Sequence, residues 1–447
     1  MRILVFSHYY YPEGNAPASR MSAVCSHWAS QGHDVEVITC APNVPNGVVY
    51  EGYANRLLQS ETLKLVRVTR VWTYLSANKG AVRRILNFLS YMLAAVFVSW
   101  FRGRPDIIVA TSPQFFCGWA GFLAARMRIR RVPFVLEIRD LWPDSIVAVG
   151  AMRNKGLLRI LYRLERWLYA GSDHIVTVGD GYREDLVDKG VPCEKLSVIP
   201  NGVDREIFWP RQATDVMARF GMQDRFTCAY VGTIGMAAGL DVVIEAAERL
   251  RDLGRNNISF LLVGDGAERE RLEKLARQKG LDNLAFSGRL PKEEMPAILA
   301  AADVCLVHLR KVDLFKRVMP SKIFEMAAMK RPIILGVAGH AAKLLQTANA
   351  GVCIEPENAR ELVDAVCTLA SDPMACRAYG QSGHDYVMEN YDRAVLADKY
   401  VDILDKLVHQ PRPCVAAETV LPMAENIDEP TEDHVESPTE HPAKKAA

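Results

Sequence analysis

The stretch Met319-Pro-Ser-Lys-Ile-Phe-Glu-Met-Ala-Ala-Met-Lys-Arg-Pro332 lies between two apolar runs, Val304–Leu309 and Pro332–Leu335, and reads as strand, helix, strand. Pro320 stands where a helix begins, and the apolar residues Ile323, Phe324, Ala327 and Ala328 follow at helical spacing. A buried strand followed by an amphipathic helix and another buried strand is the unit of a parallel α/β sheet. Ser321 and Lys322 open the helix, and Glu325 follows one turn later. Free N–H groups, an ammonium and a carboxylate on one face suit a phosphate and a ribose diol together. The same three residues also describe an ordinary capped helix.

Working outward, the unit repeats. In the same half the pattern predicts strands at Thr227–Val231, Ile258–Val263, Leu284–Ser287 and Val352–Ile354, with helices at Leu240–Leu253, Glu268–Gln278, Pro291–Ala301, His340–Thr347 and Ala359–Ala370. In the first half it predicts strands at Ile3–Phe6, Val35–Thr39, Leu65–Val71, Ile107–Ala110, Phe134–Ile138, Ile175–Val178 and Leu196–Ile199. Helices fall between them at Ser19–Gln31, Ala81–Phe101, Phe116–Met127, Leu157–Ala170 and Gly181–Lys189. Turn-forming Pro200-Asn-Gly-Val-Asp204 separates the two series. The expected fold class is therefore α/β, two doubly wound, Rossmann-like parallel-sheet domains over residues 1–200 and 201–385. A helix at 386–408 is long enough to pack back across the junction, and the Pro- and Glu-rich residues 409–447 are expected to be disordered.

Composition narrows the partners. At 447 residues, 49% hydrophobic and 24% charged, the chain can fill two cores. A formal charge of +1 argues against nucleic acid as a partner, so any anionic ligand must be met locally. Ten cysteines without a C-x-x-C pair indicate neither a zinc site nor a disulfide framework and suit a reducing compartment. The short apolar burst at the N-terminus reads as a first strand rather than a signal peptide. Both features point to the cytoplasm. The 17 residues Ile85–Phe101 are nearly all apolar and are flanked by Arg83, Arg84, Arg102 and Arg104. Three readings stay open: a core helix, a helix that also lies in the interface of the inner membrane face, or a short span.

In open parallel sheets ligands bind beyond the carboxyl ends of the strands. The unusual residues of this chain follow strands. After the first strand comes the polar loop Ser7–Arg20, which contains Gly14 and Asn15. Glu137, Arg139, Asp140 and Asp144 lie within or just after the strand at 134–138. A Glu and an Arg inside a sheet are costly unless paired, so these form either a structural ion-pair network or the polar cluster of an active site. In the second half Gly232 and Gly235-Met236, then Gly264-Asp265-Gly266, Gly288-Arg289-Leu290 and His308–Lys311 close successive strands. Glycine there lets backbone approach an anion closely. Arg317, Ser321, Lys322 and Glu325 enter from the same edge.

As a set these motifs resemble the GT-B-fold glycosyltransferases of family GT4, and within them the WbuB/WcaI-type branch of bacterial surface-polysaccharide assembly. The resemblance runs to about residue 408. It is carried by Tyr9–Arg20, Gly32–Thr39, Arg139-Asp-Leu-Trp-Pro-Asp-Ser145, Asn201-Gly-Val-Asp204, the Gly232/Gly235 loop, Gly264-Asp-Gly266 and Pro320-Ser-Lys-Ile-Phe-Glu325. It implies a retaining hexosyltransferase that passes a sugar, an N-acetylated hexosamine or a deoxyhexosamine, from a UDP-sugar to a lipid-linked acceptor of the undecaprenyl-diphosphate type. It implies no metal and no cofactor beyond the sugar nucleotide. By the same resemblance Glu325 holds the ribose, and Lys322, Ser321 and the Gly235–Met236 backbone hold the diphosphate. Arg289 and Leu290 then face the base, Asp265 lines the donor side, and Gly14 and Asn15 lie against phosphate and sugar. Asp140, Arg139 and Glu137 are the catalytic candidates, Asp140 orienting the sugar.

Two departures stand out. The broader family places a second Glu seven intervening residues before Glu325, where this chain has Arg317. It also carries an Arg and a Lys in the glycine loop, where Thr233 and Ala238 stand. The expectation is that Arg317 replaces, with Lys322, the positive charge the loop lacks. Two other functions share parts of the pattern: a UDP-sugar 2-epimerase of the same architecture, for which His8 would be a candidate, and a silent nucleotide-sugar-binding protein.

Overall fold

The structure is a computed structural model that describes residues 1–44, 46–76, 81–112, 114–148, 152, 154–212 and 215–409. The expected disorder of the tail falls on 410–447, outside the described residues. The first half contributes β1 (Arg2–Phe6), β2 (Asp34–Cys40), β3 (Leu58–Leu63), β4 (Val66–Val71), β5 (Ile107–Thr111), β6 (Phe134–Ile138), β7 (His174–Thr177) and β8 (Leu196–Val198). They form one sheet in the order β3-β4-β2-β1-β5-β6-β7-β8. Its helices are α1 (Ala16–Ser30), α2 (Ala81–Trp100), α3 (Phe115–Arg126), α4 (Asp144–Ala148), α5 (Lys155–Gly171) and α6 (Asp180–Asp188).

The second half contributes β9 (Phe226–Val231), β10 (Ile258–Val263), β11 (Leu284–Gly288), β12 (Val304–His308), β13 (Ile333–Gly336) and β14 (Gly351–Cys353), ordered β11-β10-β9-β12-β13-β14. Its helices are α7 (Asp241–Asp252), α8 (Arg269–Gln278), α9 (Met295–Ala301), α10 (Lys322–Ala328), α11 (His340–Thr347), α12 (Ala359–Ser371) and α13 (Pro373–Asn390), followed by α14 (Arg393–His409). The order reverses between β1 and β5 in one sheet and between β9 and β12 in the other. The loops after those strands are therefore where a ligand has access.

Three expectations need correction. The first sheet is not wholly parallel, because β3 pairs antiparallel with β4 through a turn at Lys64-Leu65. The single helix expected from 386 is two, α13 and α14, broken at Tyr391-Asp392. Third, among the described residues no helix is long and apolar enough to cross a membrane, which removes the spanning reading of 85–101. Inside α2, Phe88, Tyr91, Ala95 and Val96 are buried, and the Tyr91 hydroxyl donates to the Ile38 carbonyl at 2.8 Å. Its opposite face leaves Leu93 65%, Phe97 58% and Phe101, just beyond its end, 74% exposed. The core reading thus accounts for one side of the helix only.

α14 returns to the first half. Leu396, Tyr400 and Leu404 join the core of Ile3, Val5 and Trp28, and the Trp28 indole N–H donates to the Ala397 carbonyl at 3.0 Å.

Candidate active site

The loops after β9 and β10 stack on each other. Ile234 N–H donates to the Asp265 carbonyl at 3.0 Å, and a β-carbon on Gly264 or Gly266 would collide with the backbone of Gly232 or Ile234. Glycine at 264 and 266 is what allows two strand-end loops to lie this close. The Lys322 ammonium comes up from α10 against them. It lies 3.7 Å from the centroid of the Tyr230 ring, and a β-carbon on Gly232 would sit 2.6 Å from its Nζ. A cation held over an aromatic face beside exposed backbone is a receptor for an anion. Ser321 makes no side-chain capping bond to its own helix.

One turn on, Glu325 is half-buried and its carboxylate makes no hydrogen bond or ion pair with a described residue. Burial raises its pKa, and Arg393, Lys292 and Lys322 oppose that rise. An unengaged carboxylate ringed by three cations has its acceptor capacity free for hydroxyl groups. Lys292 also donates to the Ser19 hydroxyl of α1 at 2.8 Å, and Arg289 donates to the Tyr50 hydroxyl at 2.8 Å. Both bridge the two halves. Lys292 and Arg393 were not among the sequence candidates. Lys292 could have been found just beyond the Gly288–Leu290 loop, whereas Arg393 follows both sheets and only the returning chain brings it here.

In the first half Glu137 is fully buried and does not reach the cleft. Its carboxylate accepts from Arg20 Nε at 3.2 Å and from the Thr111 hydroxyl at 3.1 Å, while Arg20 also donates to the carbonyls of Ile199 and Pro200. For Glu137 the structural alternative holds, because the pair staples α1 to β6 and, through Arg20, to the segment that follows β8. Arg139 differs. Its Nη2 donates to Asn201 at 3.0 Å and its Nε lies 3.9 Å from the Glu137 carboxylate, but among the described residues buried Nη1 finds no hydrogen-bond partner, and burial lowers its pKa to about 9 against the pull of Glu137. A buried nitrogen without a partner points to a ligand that would supply one.

Asp140 borders a pocket walled by Phe115, Trp142 and Leu168. Burial pushes its pKa up to about 6, against the Ser145 hydroxyl, which donates to it at 3.1 Å. Asn15 caps α1, accepting from Ala18 N–H at 2.9 Å, and a β-carbon on Gly14 would meet nothing within 4 Å. Asp265 turns its carboxylate onto Gly266 N–H at 2.9 Å. His8 is buried against Phe88 and Tyr91, and burial drives its pKa down to about 3. It is unsuited to general acid–base work near neutrality.

Arg317 is the clear correction. Its guanidinium pairs with Asp185 and, at 3.1 Å, with Asp188, both on α6 of the first half. Two carboxylates hold it there, so the cations around Glu325 and the glycine loop are Lys322, Lys292 and Arg393 instead.

Known proteins are similar to this chain in sequence and in fold. The family described as "Glycosyl transferase 4-like domain" matches residues 15–202, and "Glycosyl transferases group 1" matches residues 217–385. The protein of Escherichia coli (strain K12) named putative colanic acid biosynthesis glycosyl transferase WcaI is 30% identical over 378 residues, 82% of this chain and 91% of that protein. Sucrose-phosphate synthase from Thermosynechococcus elongatus superposes with a TM-score of 0.72 at 17% identity, covering 91% of this chain and 98% of the other. Anabaena Alr3699/HepE, solved in complex with UDP and glucose, gives 0.68 at 16% identity over 91% and 99%. The structural likenesses speak for the fold, and the sequence likenesses for the family.

Proposed function

Because the chain belongs to the GT4 family of GT-B glycosyltransferases, we propose that it moves a sugar from a UDP-sugar to a lipid-linked acceptor in surface-polysaccharide biosynthesis, with retention at the anomeric carbon. The observation that carries the donor assignment is the pairing of Lys322, held against Gly232 and Tyr230, with the unengaged carboxylate of Glu325. In this reading Lys322 meets the diphosphate and Glu325 the ribose diol, with the Gly235–Met236 backbone beside the phosphates and the 288–290 loop beside the base. The names of two similar proteins support it: one refers to colanic acid biosynthesis, and the other was solved with UDP and glucose. An N-acetylated hexosamine or deoxyhexosamine is the transferred sugar.

During transfer the bond from the anomeric carbon to the diphosphate oxygen breaks as the acceptor oxygen bonds to the same face. The acceptor proton passes to the leaving phosphate, so no dedicated base is needed. Lys322, Lys292 and Arg393 offset the leaving charge, a role a divalent metal often takes; full activity in EDTA is the expected result. Asp140 and Nη1 of Arg139 meet sugar or acceptor. The exposed apolar side of α2, with Arg83 and Arg84 at its start, brings the enzyme to the inner membrane face where a lipid-linked acceptor lies.

The test is nucleoside-diphosphate release from a panel of UDP-sugars and GDP-mannose, each with and without undecaprenyl-diphosphate-linked acceptors. Acceptor-dependent UDP release is expected. Release of GDP alone sinks the donor assignment, and an epimerised UDP-sugar formed without acceptor would make the chain an epimerase. Lys322→Ala should weaken UDP binding by about ten- to a hundredfold, the loss of one charge-assisted contact.

A further inference from the structure

The segment around Arg317 is built into the opposite half. Leu314 and Val318 pack on the core of the first half. Arg317 pairs with Asp185 and Asp188, and a β-carbon on Gly181 would collide with the Arg317 backbone. Glycine at 181 therefore permits a backbone-to-backbone approach between α6 and the segment leading into α10. The contact continues inward. Lys189, at the end of α6, reaches Asp185 at 3.0 Å and Asp144 at 2.6 Å, and Asp144 starts the short helix that follows Asp140. Burial would lower the Lys189 pKa, but Glu165, Asp144 and Asp185 together raise it, so the ammonium stays charged. One unbroken series of ion pairs, Arg317–Asp185–Lys189–Asp144, thus runs from the segment that leads into the donor helix to the start of α4, four residues after Asp140.

Resting on the donor and acceptor roles given above to Lys322 and Asp140, we propose that residues 313–319 form a strap that sets the Asp140 loop against the donor helix, with Arg317 and Lys189 as its positioning residues. Neither touches substrate. Their work is to fix the distance between the leaving phosphate and the group that orients the sugar.

The test uses the full chain and the variants Arg317→Met, Arg317→Lys, Lys189→Met and Gly181→Ala, each first checked for cooperative melting. In the free protein, amide hydrogen exchange across residues 141–147 should quicken by about tenfold or more in Arg317→Met, Lys189→Met and Gly181→Ala, because a misplaced support loosens the loop it carries. In calorimetry with UDP as the probe, affinity should stay within about twofold of the parent while turnover falls by about tenfold or more, the signature of lost positioning. Arg317→Lys should recover most of both. Unchanged exchange in 141–147 in all three variants overturns the proposal. So does a UDP affinity that falls in step with turnover, which would return Arg317 to donor recognition. If the parent protein does not bind UDP, the nucleotide assignment fails, and the exchange measurement alone decides the strap.

Discussion

Asp140 shows how much one carboxylate's surroundings can say. Burial lifts its pKa from 3.8 to about 6, so near neutrality it is ionised but close to its titration. The carboxylate accepts a sugar hydroxyl far more strongly than the neutral acid does, so turnover should rise with pH through an apparent pKa near 6, reaching about a tenth of its plateau one unit below. Asp140→Asn should lose that limb and about a hundredfold in turnover, with UDP affinity retained. Glu165 also titrates at about 6 because of burial, but its carboxylate is held by Lys189 at 3.0 Å and Tyr169 at 2.8 Å. A limb that survives in Asp140→Asn would belong to Glu165. Its effect on stability runs the other way. A carboxyl whose folded pKa exceeds its unfolded value destabilises the fold as pH rises from about 4 to 6, whereas buried His8 and His174, with lowered pKa values, stabilise it over the same range, so circular dichroism recorded at each pH separates the activity limb from recovery of folded protein. Asp140 was legible in the sequence because strand ends fix where polar residues gather. The partners of Arg317 were not, since Asp185 and Asp188 lie far back in the chain and nothing local links them to it.

At the scale of elements, α2 divides into two faces. Asn87 donates to the Tyr74 carbonyl at 2.7 Å and Tyr91 to that of Ile38, fixing the inner face to the sheet. Leu93, Phe97 and Trp100 project outward. Replacing all three with Ser should leave the melting temperature nearly unchanged, because each exposed site contributes within about 0.5 kcal/mol. It should abolish flotation with phosphatidylglycerol vesicles. Arg83→Gln with Arg84→Gln should weaken binding to those vesicles by about 1 kcal/mol per residue and lose its effect in high salt. Vesicle binding unaffected by the triple substitution would show that another surface meets the lipid. The regular α/β alternation of these elements was readable because buried strands are continuous apolar runs. β3 was missed for a physical reason: Leu58–Leu63 alternates half-buried and exposed at the sheet edge, and its turn uses Lys64 and Leu65 at φ 47° and 68° rather than Gly or Asn. α13 was hidden by its glycines. Gly380 and Gly383 lower helix propensity, yet a β-carbon at the first would strike the Lys330 carbonyl and at the second the Ala350 side chain. Close packing, not local preference, makes that helix.

At the scale of the molecule, the chain passes between its two sheets twice, and the passages are bonded to each other. Val203 N–H donates to the Tyr391 carbonyl at 2.9 Å, and Arg393 N–H donates to that of Val203 at 3.0 Å. The returning segment places Arg393 near Glu325 and the Tyr391 ring 4.6 Å from that of Phe324, so the crossing backs directly onto the donor helix. Beyond it, α14 closes the core of the first half, with Tyr400 5.2 Å from Trp28 in an edge-to-face pair. Four large, mostly apolar buried side chains, Leu396, Tyr400, Val401 and Leu404, come from this one helix. At about 1.5–3 kcal/mol each, their burial approaches the whole stability of a typical domain, about 5–15 kcal/mol. A chain ending at Asp392 should therefore lose cooperative melting of its first half, although every strand of that sheet is still present. In the full chain Trp28→Ala should destabilise by about 3–5 kcal/mol, removing both the ring contact and the bond to Ala397. Circular dichroism melting of the two proteins checks both expectations. A truncated chain that melts like the parent would mean that the first half is complete without its last helix, and that α14 serves only to position Arg393.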